Sequence, residues 1–183
     1  MARLILLNGP PGIGKSTLAQ RYVDEHPLAL DLDLDTVRRM LGGWRANPID
    51  AGLLARAMTI EMARAHLTSG HDVVIPQYLG RPQFLEQAEQ VATDTGAEFC
   101  EFVLMDGRDK AVRRFTDRTD AAAMPAHVEA GDLMEHFGGQ PALEAMYDRL
   151  LLVLAHRPRA QVIQSREGAV EETYAELRRR LGG

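Results

Sequence analysis

At 183 residues the chain is about one domain long, taking roughly 150 residues per domain. Hydrophobic residues make up 45% and charged residues 26%. That balance and length suit a globular chain with its own core, and exclude a disulfide mini-protein, a disordered tail and a coiled coil. The single cysteine, Cys100, has no internal disulfide partner, and the net charge of −5 argues against a general nucleic-acid or membrane coat.

The apolar opening, residues 3–7, is cut short by Asn8-Gly9-Pro10-Pro11 and reads as a buried first strand rather than a signal peptide. The apolar run 150–155 falls far below the about 20 residues of a membrane span. The cytoplasm is the expected compartment. In chain order the pattern predicts a strand over 3–8, a helix over 15–25, a strand over 28–33 and a short helix from Thr36 to Leu41. A long helix over 49–69 follows, with Leu53, Ala57, Ile60, Ala63 and Leu67 on its inner face. Next come a strand over 72–76, a helix from Pro82 to Thr95 and a strand over 98–105. Residues 108–118 form a charged helix, 119–127 a loop, and 128–137 and 141–156 two more helices. A strand over 160–164 and a helix over 169–181 close the chain. Five strands alternating with helices predict an α/β fold: a five-stranded parallel sheet, helices on both faces, one domain over 1–183. Ligands bind such folds beyond the C-terminal strand ends, and here those ends are polar or glycine-rich.

Gly9-Pro10-Pro11-Gly12-Ile13-Gly14-Lys15-Ser16 matches the Walker A pattern, with an apolar strand before it and a helix after. This points to the P-loop NTPase fold. Its glycines let backbone N–H groups curl around phosphate, helped by the positive end of the following helix. Gly9, Gly12, Ile13, Gly14, Lys15, Ser16 and Thr17 are the expected contacts for ATP or GTP. Lys15 reaches the β- and γ-phosphates, and the Ser16 hydroxyl is a ligand for Mg²⁺.

The acids that complete such a site cluster after the second strand, as Asp31, Asp33 and Asp35. Alternation along a persisting strand would place all three on one face. Asp33 is placed to hold water on the Mg²⁺. Asp35 is placed to take a proton from an attacking hydroxyl, or else to cap the helix from Thr36. Asp31 reads as structural. The third strand ends in Pro76-Gln77 without a carboxylate; the fourth ends in Asp106, a weaker alternative metal partner.

Gly9–Ser16 followed by Asp33-Leu34-Asp35-Thr36-Val37-Arg38 resembles the small P-loop kinases: zeta-type toxins, phage-type polynucleotide 5′-kinases, chloramphenicol phosphotransferase and shikimate kinase. The resemblance spans roughly residues 1–120 and weakens beyond. It implies that Asp35 is the general base, as in zeta toxins and polynucleotide kinases, and that Arg38 contacts substrate, as in the latter. It also implies a helical lid, approximately 107–140, whose Arg114 and Arg118 meet the transferring phosphate. Those two arginines stand four apart, on one helical face. Pro76-Gln77 departs from the pattern, since polynucleotide and chloramphenicol kinases usually carry an aspartate there.

On the acceptor side, Arg38 suits a phosphate or carboxylate, Trp44 a ring, and Gln77 and Arg81 hydrogen bonds to the acceptor. The expected activity is transfer of the γ-phosphate to a hydroxyl of a small metabolite, nucleoside or nucleotide. A polynucleotide 5′-hydroxyl kinase is the alternative within enzymes, disfavoured by the acidic balance and the lack of a basic stripe. A hydrolytic nucleotide switch is the alternative of another class. If Arg118 acts mainly in the transition state, Arg118→Ala cuts kcat by about 10³-fold while ATP still binds. Steady-state kinetics beside a nucleotide titration check this.

Overall fold

The computed structural model describes residues 1–107 and 139–182. The predicted lid elements, with Arg114 and Arg118, lie outside these described residues. Elements in order are β1 (Arg3–Asn8), α1 (Lys15–Glu25), β2 (Leu30–Asp31), α2 (Leu34–Arg39), α3 (Pro48–Thr68), β3 (Val73–Pro76), α4 (Pro82–Thr95), β4 (Glu98–Met105), α5 (Gly139–Ala155), β5 (Gln161–Gln164) and α6 (Val170–Arg180). The five strands form one sheet in the order β2-β3-β1-β4-β5. Every pairing is parallel.

β1 is the centre of this sheet because it can be buried on both faces. Leu4, Ile5, Leu6 and Leu7 are all fully buried, each contributing about 1.5–3 kcal/mol of transfer free energy. Their side chains alternate. Leu4 and Leu6 join α2, α3 and α4 in one core, while Ile5 and Leu7 join α1 and α6 in the other. A third cluster seats Leu150 of α5 on Val103 and Met105 of β4. The crossovers thus leave all strand C-termini on one rim, with the loop after β1 between β3 and β4.

Two expectations are corrected. The strand predicted over 28–33 is only Leu30–Asp31, with one further ladder bond from Leu32 N–H to the Val74 carbonyl, 2.8 Å. Asp33 ends it, because its carboxylate accepts from the Asp35 and Thr36 amides and starts α2 at Leu34. The three acids therefore do not share a strand face. The inner face of α3 also differs. Ala51, Ala55, Thr59, Ala63 and Leu67 are buried, whereas Leu53 is 60% exposed and Ala57 is exposed too. Mostly small side chains at i, i+4 spacing let α3 lie close against α2 and α4, so size overrides hydrophobicity in choosing the face.

One ion pair is buried beneath this frame. Glu101 of β4, with 3% of its side chain exposed, meets Arg157 at 2.7 Å, and Arg157 also meets Glu89 of α4 at 2.8 Å. Burial pushes the Glu101 carboxyl up and Arg157 pulls it back. Arg157→Ala leaves a buried carboxylate uncompensated, at a cost of about 3–5 kcal/mol at neutral pH. An acid whose folded-state pKa exceeds its unfolded one destabilises the fold progressively as pH rises from the unfolded value to the folded one, fully above the latter and not at all below the former. The deficit in urea unfolding is therefore largest at neutral pH and shrinks as pH falls toward the ordinary glutamate value of 4.5.

Candidate active site

The phosphate loop is shaped by where its glycines stand. Gly9 has φ +148°, and a Cβ there would sit 2.6 Å from the Leu104 carbonyl oxygen of β4. Only glycine lets the chain leave β1 this close to a neighbouring strand. Gly14 precedes α1 at φ +104°, in the left-handed region, so that α1 begins at Lys15 with its first amides turned to the loop. Gly12, with φ +77°, lies between them. Ile13 is 1% exposed in the α1–α6 core, and its carbonyl accepts from the buried Ser165 hydroxyl at 2.9 Å. Thr17 lies exposed on the first turn of α1.

Lys15 Nζ donates to the carbonyls of Gly9 and Pro10, each at 2.9 Å. Its ammonium therefore lies over the loop. Ser16 Oγ donates to Asp33 Oδ2 at 3.3 Å. Asp33 Oδ1 is used separately, accepting from the amides of Asp35 (2.7 Å) and Thr36 (3.0 Å). One carboxylate thus caps α2 with one oxygen and faces the phosphate loop with the other. The Asp35 capping alternative is corrected: Asp33 is the cap, and Asp35 stands in the first turn of α2.

Asp35 pairs with Arg38 Nη2 at 3.1 Å. About half of its side chain meets solvent, yet the protein crowding around it raises its pKa. Arg38, Arg39 and Lys15 oppose that rise, and Asp33 adds to it. Lys15 thus ranks behind Arg38 and Arg39 among the cations that act on Asp35. Asp31 lies deeper. Burial, then repulsion from Asp33, pushes its carboxyl up to about 6, and among the described residues its Oδ1 has no hydrogen-bond partner.

The expected acceptor residues divide. Trp44 is only 8% exposed, and the guanidiniums of Arg38 and Arg45 lie over its ring at 5.0 and 4.5 Å from the centroid. It is a buried anchor for two cations, not an open stacking platform. Arg38 is thereby held between Trp44 and Asp35. Gln77 and Arg81 stand on the loop after β3, at the rim of the phosphate loop but on the other side of β1 from β4. Asp106 follows β4; its carboxylate accepts from the Gly107 amide at 2.8 Å, and its carbonyl accepts from the Tyr147 hydroxyl at 2.9 Å.

A hydroxyl and a carboxylate oxygen, Ser16 Oγ and Asp33 Oδ2, form a hard-oxygen pair that fits Mg²⁺. Sequence reasoning missed Asn8. Its fully buried amide bonds to both the phosphate loop and the loop after β3. The only signal was an amide ending an apolar strand immediately before Gly9. Gly9→Ala combines a disallowed φ with a backbone overlap, and costs about 1–3 kcal/mol by thermal unfolding. It also displaces the loop, so a non-hydrolysable ATP analogue binds more weakly in calorimetric titration.

Comparison with known proteins bears on the family and the fold. An uncharacterized protein of Mycobacterium tuberculosis is 39% identical over 112 residues, 55% of this chain and 22% of its own length. An uncharacterized protein of Mycobacterium bovis matches to the same extent. The chain thus spans about a fifth of the curated relatives it matches. A crystal structure described as that of “a putative kinase” from Chloroflexus aurantiacus superposes with a TM-score of 0.68 at 18% identity, covering 99% of this chain and 96% of that one. Among the described residues no helix is long and apolar enough to cross a membrane. A family model described as an AAA domain matches residues 4–136, and the chain belongs to that family, with the P-loop fold of the small kinases it resembles.

Proposed function

We propose that this chain is an ATP-dependent kinase that transfers the γ-phosphate to a hydroxyl of a small metabolite, nucleoside or nucleotide. The observation that carries this reading is the Ser16–Asp33 hydrogen bond at the phosphate loop that Lys15 crosses, with Asp35 two residues on in the first turn of α2. A nucleotide-binding switch has no need of a second carboxylate two residues from the one bonded to Ser16. A phosphotransferase has one, because the attacking hydroxyl must lose a proton.

In this reading the loop amides and Lys15 hold the β- and γ-phosphates of ATP, or of GTP in its place. Ser16 and Asp33 are the residues that would hold Mg²⁺, which supplies charge neutralisation at the phosphate oxygens. Asp35 accepts the proton from the acceptor hydroxyl. The acceptor oxygen forms a bond to Pγ as the bond to the β–γ bridging oxygen breaks, and the nucleoside diphosphate leaves with the electron pair. Arg38, fixed by Trp44 and Asp35, and Gln77 and Arg81 on the facing loop orient the acceptor.

Nucleotide turnover measured against a panel of hydroxyl acceptors, with a 5′-hydroxyl oligonucleotide among them, tests the reading. A kinase accelerates with its acceptor and labels it; a rate indifferent to every acceptor overturns the proposal in favour of a hydrolytic switch. Labelling of the oligonucleotide alone would assign the chain to the polynucleotide kinases. Asp35→Asn should lower kcat by about 10²–10⁴-fold, with nucleotide affinity little changed. A variant that only loses thermal stability would remove Asp35 from the chemistry.

A further inference from the structure

The backbone ladder between β1 and β3 ends at Leu7 and Pro76, with a last bond from the Gln77 amide to the Leu7 carbonyl, 3.0 Å. Beyond it the connection continues through a side chain. Asn8, 1% exposed, accepts at Oδ1 from the Gly9 amide (2.8 Å) and from the Leu79 amide (2.9 Å). Its Nδ2 donates to the Leu79 carbonyl at 3.2 Å. Two N–H donors require the oxygen and a carbonyl requires the nitrogen, so the amide has one orientation here. One oxygen atom is thus shared between the first amide of the phosphate loop and the middle of the 77–81 loop.

We infer that Asn8 is a positioning residue that keys the 77–81 loop to the phosphate loop, so that nucleotide held by one tightens the other. This rests on the kinase reading only in calling 77–81 the acceptor side. Gln77 and Arg81 flank Leu79 by two residues on either side, and Leu79 is buried in the α3–α4 core. In the other direction, Gly9 carries one of the two carbonyls that hold Lys15. Phosphate drawn into the loop therefore acts on the same backbone that Asn8 grips. In-line transfer needs donor and acceptor placed to a few tenths of an ångström, and a buried three-bond amide between their two loops provides that placement. A second tether, the Tyr78 hydroxyl on the Met146 carbonyl at 3.0 Å, does not involve the phosphate loop. It keeps the 77–81 loop docked when Asn8 is changed.

Hydrogen exchange at the Leu79 amide, followed with and without a non-hydrolysable ATP analogue, tests the keying without any acceptor. In the wild type the analogue should slow exchange about fivefold or more, the lower range of coupling between sites. In Asn8→Ala that response disappears while the analogue still binds. Asn8→Asp adds a readout that packing alone would not move. A protonated carboxyl can donate to the Leu79 carbonyl and accept from both amides, whereas the ionised form cannot donate. Burial raises that carboxyl above the ordinary value of about 3.9. The ionised form still accepts from the Leu79 amide but sets a carboxylate oxygen against the Leu79 carbonyl, so protection in Asn8→Asp should approach wild type at acid pH and fall at alkaline pH, each compared with wild type at the same pH.

Equal protection by the analogue in wild type and Asn8→Ala overturns the proposal, as does an analogue that binds wild type without slowing Leu79. If Asn8→Ala fails to fold, Asn8→Asp decides: protection independent of pH overturns the keying. An analogue that does not bind wild type refutes the nucleotide reading itself. The clamp is then read without ligand, where Leu79 exchange no faster in Asn8→Ala than in wild type, or no faster relative to wild type in Asn8→Asp at alkaline than at acid pH, would refute it too.

Discussion

The architecture depends on how the chain leaves β1. A central strand buried on both faces has no room for a polar turn, yet it must deliver backbone amides to solvent at its end. Gly9 resolves this by passing within contact of the Leu104 carbonyl, where any Cβ would collide. Three side-chain bonds from Asn8 then hold what the strand ladder no longer can. Ser165 fixes the far side of the same loop through the Ile13 carbonyl. The phosphate loop is thus gripped from both sides before its lysine is considered, which is how a segment rich in glycine keeps one shape.

Electrostatics around the loop follow from that shape. Asp33 divides its two oxygens between a helix cap and Ser16, so the start of α2 and the phosphate loop are set by a single carboxylate. Asp35 then stands in the first helical turn, paired with Arg38. Arg38 and Arg45 both rest on Trp44. A buried indole thereby stations positive charge beside α2 in a chain whose net charge is negative.

Much of this was legible in the amino-acid order. The alternation of apolar runs with helical periods specified the α/β class, and α4 and β4 fall on their predicted bounds. Pro82 and Gly96 punctuate α4 by local rules that need no tertiary context. The Walker A segment was legible because its spacing is itself a pattern, although Gly9 answers a tertiary demand, the nearby Leu104 carbonyl. Asp31-Leu32-Asp33-Leu34-Asp35 was not, because its alternation serves a strand and a capped helix equally well. Where the strand stops depends on Asp33 turning to the Asp35 and Thr36 amides. The face of α3 was hidden too: choosing Ala55 and Thr59 over Leu53 depends on how close the neighbouring helices come. Asn8 left the faintest trace, since both loops it joins lie far apart in sequence.

The shortness of β2 bears on how the chain behaves among its own copies. An outer strand with unpaired backbone groups is a template on which another chain can add a strand. At this edge only Leu30 and Asp31 are strand, and a carboxylate occupies the second position. At the opposite edge, Arg180 of α6 donates to the Val162 carbonyl of β5 at 2.9 Å, laying a charged side chain on that strand. Among the described residues neither border offers a long apolar ribbon to a neighbour. The same brevity that brings Asp33 to Ser16 thus leaves little strand at this edge for another chain to extend.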